Sequence, residues 1–352
     1  MRFFTDQRCK RCYIQADPKD GITLDEKGIC SLCRQAETER EPDWMLLRNV
    51  FEDLIEAGRG KGGQYDGVVM MSGGKDSAYL ACTLRRKYGL RLIGFINDIH
   101  YEYAQTFAGA KNICDRLDMP LYVNRFDPDE MRDYFRFLFT AKELRDSGFG
   151  HICNYCGRMM IRAAGDFAKA HGIPMVFSGH NPDQISGMGE RYETDPTRIA
   201  RQNAVREQIA DSVTRARALS AQRAPELTER FPEQLFPEGV QGVFMYQYFP
   251  YKPVEMMEYI TREIGWQPMK TISETYIASG CRLAHLWMDL AYRNKTVSYV
   301  DRELSAQVRR GTLSKKLVRE FYAHTYDSSE TIAELLDDLG IESADQLLEE
   351  NS

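Results

Sequence analysis

The sequence lacks three features that would each assign it to a class of protein. It has no apolar run long enough to cross a bilayer, and its start, MRFFTDQRCKRC, lacks the apolar segment and cleavage site of a secretory signal. It also lacks a basic excess, since the formal net charge at pH 7 is -6. Nucleic-acid binding rewards a basic face. These absences predict a cytoplasmic protein without a membrane partner, and they argue against a dedicated nucleic-acid binder, although a local basic patch is compatible with an acidic total.

The length and the cysteine content narrow the class further. The 352 residues, 43% of them hydrophobic, are enough for one large or two medium-sized globular domains. Nine cysteines in a reducing compartment are not expected to form a disulfide framework. Most of them occur in C-x-x-C pairs, a spacing typical of metal or redox chemistry. The cysteines therefore indicate metal sites.

Strand and helix signals alternate through the first half of the chain. Apolar runs that predict strands occur at residues 67–71, 90–96, 121–124 and 173–179, and helical patterns lie at 43–57, 78–88, 103–117 and 159–170. Two later helical stretches are predicted at 280–293 and 300–322. This alternation predicts an α/β fold in which helices cover both faces of a doubly wound parallel sheet.

The composition divides the chain into five predicted segments. They are a cysteine-bearing module at 1–40, an α/β domain at 60–190, a helical or irregular insertion at 191–240, a helical region at 241–325, and an acidic, solvated helical tail at 326–352.

The first predicted strand runs into a glycine-rich loop, VVMMSGGKDSA, at residues 68–78. Backbone N–H groups at the start of the following helix would bind phosphate, and glycine allows a close approach. The residue order fits neither the Walker loop, G-x-x-x-x-G-K-S/T, nor the G-x-G-x-x-G of dinucleotide binders. Lys75 would stabilise departing pyrophosphate, and Asp76 would bind magnesium or brace the loop. The alternative is a glycine-rich turn without a ligand.

The S-G-G-K-D-S pattern resembles the pyrophosphate loop of the PP-loop ATP pyrophosphatases. The resemblance implies that the loop binds the β and γ phosphates of ATP while a substrate oxygen attacks the α phosphate. It also implies that a later strand end, LIGFIN, meets the adenosine. SGHNPDQ resembles the G-H-N-x-D-D of PP-loop enzymes that thiolate tRNA, but Gln184 replaces the second acid, which argues against a tRNA substrate. The predicted nucleotide-binding residues are Ser72, Gly73, Gly74, Lys75, Asp76, Ser77, Asn97 and Gly179, with Lys75 and Asp76 as the catalytic pair.

Four cysteines lie close together near the amino terminus. Cys9, Cys12, Cys30 and Cys33 form C-x2-C-x17-C-x2-C, within the spacing of a four-thiolate zinc site. This segment is too small for a core of its own, so Zn²⁺ would hold it together. Four thiolates leave zinc no open position, which predicts a structural site.

A second C-x-x-C, formed by Cys153 and Cys156, precedes a predicted helix, and Cys281 is the best candidate for a third thiol. Three thiolates would leave one iron of a 4Fe–4S cluster without a protein ligand, the open corner that a sulfur-handling site would use. A redox dithiol and a second zinc site completed by His151 or His180 are the alternatives.

Over most of its length the sequence resembles the N-acetyl sugar amidotransferase branch of the PP-loop proteins. The motifs that carry the resemblance are CKRCYIQADPKDGITLDEKGICSLC, SGGKDS, the central C-x-x-C, G-x-N-P at 179–182, FPYKPVEMMEYI, the GW at 265–266 and VRRGTLSKKLV. The resemblance implies adenylation of an acetamido oxygen of a sugar and its replacement by ammonia from a separate glutaminase. Surface polysaccharide or nonulosonic acid biosynthesis would be the setting. His180 stands where this branch is expected to carry an acid, which favours thiolating relatives.

The prediction is therefore an enzyme that uses ATP and Mg²⁺ to adenylate an amide or carbonyl oxygen, releasing pyrophosphate, before nitrogen replaces that oxygen in a small-molecule, sugar-like acceptor. One alternative is an iron–sulfur-dependent sulfurtransferase that receives sulfur from a separate donor and acts on a nucleobase, tRNA or small molecule. The other is an ATP-binding protein without catalysis. A homodimer is compatible with each.

Overall fold

The computed structural model describes residues 5–38, 41–182, 184, 196–274 and 280–348. Each of the five predicted segments includes residues outside these ranges: 1–4 and 39–40 of the amino-terminal module, 183 and 185–190 of the α/β domain, 191–195 of the insertion, 275–279 of the helical region and 349–352 of the tail. Within the described ranges, no helix is both long and apolar enough to cross a membrane.

A five-stranded parallel sheet forms the centre of the molecule. Its strands, in the spatial order β3-β2-β1-β4-β5, are β1 (Gly67–Met70), β2 (Leu92–Asp98), β3 (Leu121–Arg125), β4 (Met175–Ser178) and β5 (Gln241–Phe244). The predicted doubly wound parallel sheet is confirmed. The strand β5 was missed because its four residues, QGVF, begin with exposed positions and carry no extended apolar run.

The order of the strands places a binding crevice at one edge of the sheet. From β1 the chain moves outward through β2 to β3, whereas β4 and β5 lie on the other side of β1. Ligands of open α/β sheets bind at the carboxyl ends of the strands, at the point where the strand order reverses. That point lies between the ends of β1 and β4, and the two motifs SGGKDS and SGHNPDQ begin there.

The helices surround this sheet and extend beyond it. They are α1 (Ser31–Ala36), α2 (Trp44–Gly58), α3 (Lys75–Cys82), α4 (Ala104–Arg116), α5 (Pro128–Thr140), α6 (His151–Ala170), α7 (Pro196–Arg223), α8 (Pro253–Ile264), α9 (Leu283–Arg293), α10 (Tyr299–Arg309), α11 (Lys315–Ala323) and α12 (Ser329–Asp338). The predicted helix at 300–322 is wrong as a single element, because Gly311, with a φ of 71°, ends α10 and α11 begins afterwards.

Helix α6 begins eight residues earlier than the predicted start at residue 159, and this shift matters for the site. The Asp146 carboxylate accepts hydrogen bonds from the backbone N–H groups of Gly150 (2.9 Å) and His151 (2.6 Å), so it satisfies donors at the helix start. Cys153 and Cys156 consequently lie within the first two turns of α6.

The tail is packed rather than solvated, which corrects the prediction. Leu335, Leu339 and Leu347 are buried in the largest hydrophobic cluster, together with residues of α5 and α9. The acidic composition misled the prediction because the apolar residues of α12 lie on one face while its carboxylates face the solvent.

Candidate functional site

The loop after β1 has the backbone geometry of a phosphate-binding turn. Gly73 has a φ of 69°, and a Cβ there would lie 2.6 Å from the carbonyl oxygen of Thr106, so only glycine fits. Gly74 is the N-cap of α3 and provides no side-chain acceptor for the first N–H groups of that helix. Residues 74–77 line a cavity, so the uncapped start of α3 lies at its edge, as a phosphate site requires.

Two serines close the loop. The Ser77 hydroxyl accepts a hydrogen bond from the Ser72 backbone N–H at 3.2 Å and donates one to the Gly74 carbonyl oxygen at 3.1 Å. It also lies 3.2 Å from the Ser72 hydroxyl. These bonds span the ends of the turn and hold its backbone donors in one arrangement.

The predicted catalytic pair forms an ion pair at the cavity wall. The Lys75 Nζ lies 2.9 Å from Asp76 Oδ2, and both side chains are largely buried. Each group thereby neutralises the other. A triphosphate and its magnesium ion offer the ammonium and the carboxylate better partners, because both ligands carry higher charge.

The other predicted nucleotide-binding residues, Asn97 and Gly179, line the same cavity as the loop. A Cβ on Gly179, which follows β4, would lie 3.0 Å from the Asp76 carbonyl oxygen, so glycine allows the end of β4 to approach the loop. Asn97, at the end of β2, is buried and its Nδ2 donates to the Met160 carbonyl oxygen at 3.3 Å. Its Oδ1 accepts from Asn124 at 2.9 Å. Asn97 thus faces the cavity with its amide fixed by neighbours.

One cavity of about 380 Å³ connects the loop to the second cysteine set. Its walls include residues 74–77 of the loop, the end of β4 at 178–180, and the thiols of Cys153, Cys156 and Cys281. Sequence separation gave no hint that a cysteine so late in the chain shares a cavity with the loop. The structure therefore brings together two predicted sites that the sequence could only describe separately.

The three thiols of this cavity are poorly ionised without a cation. Cys153 and Cys156 are three positions apart, so they lie on one face of α6. Burial, reinforced by Asp146 and Glu303, raises the pKa of Cys153 to about 12. Burial also raises the pKa values of Cys156 and Cys281 well above the usual range, and Glu102 adds to both shifts. A metal centre would displace these protons and fits the donor set, because thiolate is the ligand of iron–sulfur clusters.

The alternative of a second zinc site with His151 or His180 is not supported. Among the described residues, the set of cysteine, histidine and carboxylate ligand atoms that all lie within 4.8 Å of one another is the amino-terminal one. His151 Nε2 lies 3.1 Å from the Leu138 carbonyl oxygen, and His180 Nδ1 lies 2.5 Å from the Ser178 hydroxyl. A 4Fe–4S cluster requires wider spacing than a single ion, because each thiolate binds a different iron.

Two acids line the cavity that were not predicted. Burial raises the pKa of Glu102 to about 7, and this carboxylate accepts from the Ile99 backbone N–H at 3.1 Å. Glu303, on α10, accepts from Asn181 Nδ2 at 2.7 Å and from Gln184 Nε2 at 3.4 Å. No local pattern marks either residue, since each is one glutamate among many. Gln184 thus orients a carboxylate from another part of the chain at the place where the motif departs from G-H-N-x-D-D.

The amino-terminal cysteines form a separate, enclosed set. Their four sulfur atoms all lie within 4.8 Å of one another and are buried. The Cys30 backbone N–H donates to Cys9 Sγ at 3.3 Å, and the Cys33 backbone N–H donates to Cys30 Sγ at 3.3 Å. Such N–H···S bonds stabilise thiolates. The set could therefore hold a metal ion, and tetrahedral Zn²⁺ suits four thiolates.

Comparison with known proteins identifies the family to which the central part of the chain belongs. The family model described as asparagine synthase matches residues 67–242, half of the chain. A tRNA-specific 2-thiouridylase of Methylococcus capsulatus is 34% identical over 122 residues, which cover 32% of either chain. Cytoplasmic tRNA 2-thiolation protein 1 of Candida albicans is 28% identical over 183 residues, 45% of this chain and 43% of that protein. The chain spans less than two thirds of the length of the curated relatives it matches.

A solved structure gives a weaker likeness. The U34-tRNA thiolase from Methanococcus maripaludis, a structure that contains a 4Fe–4S cluster, superposes with a TM-score of 0.37 at 14% identity over 90% of this chain and 89% of that chain. A superposition at this level carries no argument about activity.

Proposed function

The chain belongs to the asparagine synthase family within the PP-loop ATP pyrophosphatase superfamily, and from this premise we propose that it replaces a carbonyl oxygen by sulfur after adenylating that oxygen with MgATP. The observation that carries the proposal is the single cavity shared by the loop and by Cys153, Cys156 and Cys281. Activation and sulfur delivery can then occur at one carbon, without release of an adenylated intermediate.

The first half-reaction uses the loop. The substrate oxygen attacks the α phosphorus of ATP, the bond between that phosphorus and the bridging oxygen breaks, and pyrophosphate leaves. The backbone N–H groups at the start of α3 stabilise the negative charge that develops on the leaving group. The Lys75 ammonium leaves the Asp76 carboxylate and binds the phosphates, and the Asp76 carboxylate then binds the magnesium ion.

The second half-reaction uses the other end of the cavity. Hydrosulfide attacks the activated carbon, the carbon–oxygen bond breaks, and AMP leaves with the original oxygen. Cys153, Cys156 and Cys281 would hold a 4Fe–4S cluster, whose open iron supplies a binding position for the sulfide when the cluster is bound. The mostly apolar walls of the cavity limit the access of water to the activated carbon.

A nucleobase carbonyl in tRNA is the acceptor that we propose. Two relatives are named for tRNA thiolation, and a base that is flipped from its stack fits a mostly apolar cavity. The net charge of -6 requires that the phosphate contacts come from a local basic surface. Gln184 need not exclude this acceptor, because it binds Glu303 and so still presents a carboxylate near the end of β4.

Nitrogen transfer is the second candidate, favoured by the asparagine synthase family model and by the sequence resemblance to N-acetyl sugar amidotransferases. Ammonia from a separate glutaminase would replace hydrosulfide in the second half-reaction. This candidate gives the three cavity thiols no part in the chemistry, which is why we place it second.

Anaerobically purified protein separates the two candidates. It is incubated with MgATP and either sodium sulfide plus unmodified tRNA or ammonium chloride plus an N-acetyl sugar nucleotide, and AMP, pyrophosphate and the modified product are measured. We expect iron in the protein, AMP and pyrophosphate in equal amounts, and sulfur in the tRNA. Cys281→Ala should lose the iron and the incorporated sulfur while MgATP binding persists.

Three outcomes would contradict the proposal. ADP as the nucleotide product would remove the adenylation step. Protein without iron that transfers nitrogen to the sugar would replace the proposal by the second candidate. Sulfur transfer that survives Cys281→Ala would detach the chemistry from the cavity thiols.

A further inference from the structure

Three aromatic side chains from a segment downstream of the family match contact the phosphate loop; we call them the aromatic brace. Tyr246 OH donates to the carbonyl oxygen of Asp76 at 3.1 Å, and Tyr251 OH donates to Asp76 Oδ1 at 2.9 Å. Trp266 Nε1 donates to the carbonyl oxygen of Gly73 at 3.1 Å. All three residues are buried.

The aromatic brace gives a structural role to two sequence motifs that have no assigned role in nucleotide binding itself. Tyr251 lies in FPYKP and Trp266 in the GW that follows α8. The rings of Tyr246 and Tyr251 pack edge to face with centroids 5.1 Å apart, so each ring supports the other. The hydroxyl groups of both residues bind Asp76. The general sheet fold does not require these contacts, since they come from residues beyond β5.

The two oxygens of the Asp76 carboxylate have different partners. Oδ1 accepts from Tyr251 and Oδ2 from Lys75, each at 2.9 Å. A bound triphosphate would compete with Asp76 for the Lys75 ammonium and draw it away from Oδ2. The Lys75 Nζ also lies 5.8 Å from the centroid of the Tyr251 ring. The Tyr251 hydroxyl belongs to a buried ring that packs against Tyr246. Departure of Lys75 therefore frees Oδ2 alone.

We propose that Tyr251 is a positioning residue that fixes the Asp76 carboxylate so that Oδ2 meets the magnesium ion of MgATP. The inference rests on the proposed use of MgATP. Tyr246 and Trp266 bind main-chain carbonyl oxygens, so they set the shape of the loop, whereas Tyr251 is the brace residue that orients the carboxylate itself. Loss of its hydroxyl should weaken the magnesium-dependent part of nucleotide binding and spare the rest.

The test compares nucleotide affinity with and without the metal by isothermal titration calorimetry on the full chain. For Tyr251→Phe we expect the Kd for ATP with excess Mg²⁺ to rise about tenfold, whereas the Kd for ATP with EDTA stays within about twofold. Trp266→Phe should weaken both by a similar factor, because it releases the loop carbonyl rather than the carboxylate. Asp76→Asn should remove the advantage of Mg²⁺, and adding Tyr251→Phe to it should have no further effect.

Tyr259→Phe is the matched control, because Tyr259 on α8 packs against Tyr79 and lies outside the phosphate loop. It should leave both affinities unchanged, and thermal unfolding of each variant identifies any loss of fold. If Tyr251→Phe weakens ATP binding equally with Mg²⁺ and with EDTA, the Tyr251 hydroxyl makes only a structural hydrogen bond. That result would overturn the inference but leave the proposed function intact. Failure of the unaltered protein to bind MgATP would overturn both.

Discussion

The molecule contains two sets of cysteines that differ in enclosure. The amino-terminal set has four sulfur atoms, all within 4.8 Å of one another and buried. The cavity set has three, of which Cys153 and Cys281 are partly exposed to a cavity that also contains the phosphate loop. Among the described residues the first set has a fourth thiol and the second has three, and the function we propose leaves the second open to a substrate. We therefore infer that the number of thiols and their access, rather than the C-x-x-C spacing they share, separate a structural from a reactive role.

The two sets of cysteines also differ in their electrostatic surroundings. Backbone N–H groups donate to the amino-terminal sulfur atoms, and the Arg309 guanidinium lies 3.7 Å from Cys12 Sγ. Burial raises the pKa values of the cavity thiols, and neighbouring carboxylates add to the shift, namely Asp146 and Glu303 at Cys153 and Glu102 at Cys281. The backbone hydrogen bonds of the first environment favour thiolates, although burial raises the pKa of Cys33 to about 12, and we expect four thiolates together to bind a cation tightly. The second keeps its protons until a cation arrives, so we expect its occupancy to depend on supply.

Metal removal should therefore have its largest effect at the amino terminus. We expect Cys12→Ser, or a chelator, to unfold residues 5–38, because structural zinc contributes on the order of 10 kcal/mol of apparent binding free energy. Hydrogen exchange followed by mass spectrometry would show lost protection there, and elemental analysis would show loss of about one zinc per chain.

The cavity set provides the control for that experiment. Cys281→Ala in iron-free protein should change the free energy of unfolding by only about 1 kcal/mol, because the thiol is partly exposed and fills little core. Protection at 5–38 that survives chelation would show that the amino-terminal set does not depend on a metal, and the contrast between the two sets would disappear.

The sequence predicted the parts of the fold that local signals encode. Periodic apolar runs revealed four of the five strands, and the glycines of SGGKDS indicated the loop, whose superfamily is confirmed by the family match. The family match supports the predicted ATP pyrophosphatase-type enzyme. The strand β5 escaped because its pairing with β4, rather than its own composition, makes it a strand. The start of α6 escaped because it depends on the side chain of Asp146, five residues upstream.

The site was predicted only in part, because its completion depends on contacts between distant residues. The loop residues and the cysteines could be identified from motifs, and their assignment as ligands remains a prediction. Glu303 reaches Asn181 across 122 positions of sequence, and Tyr251 reaches Asp76 across 175. No periodicity or spacing reports such pairs. The acceptor and the incoming atom depend on those same contacts, which is why the sequence left nitrogen and sulfur as alternatives.

A buried contact joins the amino-terminal module to the helical region, and it tests whether the two sets are independent. Asp17 Oδ2 accepts from Thr296 Oγ1 at 2.5 Å and from the Val297 backbone N–H at 2.9 Å. Asp17→Ala would leave both donors buried without this acceptor, so we expect a loss of about 3 kcal/mol in the free energy of unfolding in urea. Zinc content should stay unchanged.

The matched control is Asp17→Asn, which retains one oxygen acceptor and should cost less than the alanine variant. If Asp17→Ala releases zinc, the module depends on its docking surface and the amino-terminal set is not self-contained.

Asp66, which directly precedes β1 and does not line the cavity of the second cysteine set, serves as a reference for pH. Its buried carboxylate binds Arg91 Nη2 at 2.6 Å and the Gly60 backbone N–H at 2.9 Å. Burial alone would raise the pKa of Asp66, but the hydrogen bonds from Arg91 and the backbone outweigh it and lower the pKa from 3.8 to about 2. This shift corresponds to about 2 kcal/mol of stability at pH 7.

The sign of the pH dependence follows from the two pKa values of Asp66. Because the folded value lies below the unfolded one, the unfolded chain binds the extra proton, and the contribution is present above about pH 4 and lost as the pH falls towards 2. The stability difference between the unaltered protein and Asp66→Asn should thus stay constant from about pH 7 to pH 5, a range in which protons already compete with metal for thiolates. Urea unfolding at several pH values measures this difference. If this difference in the free energy of unfolding disappears above about pH 5, the titration of Asp66 is coupled to that of the metal-binding thiols. Asp66 would then not be a reference independent of the two cysteine sets.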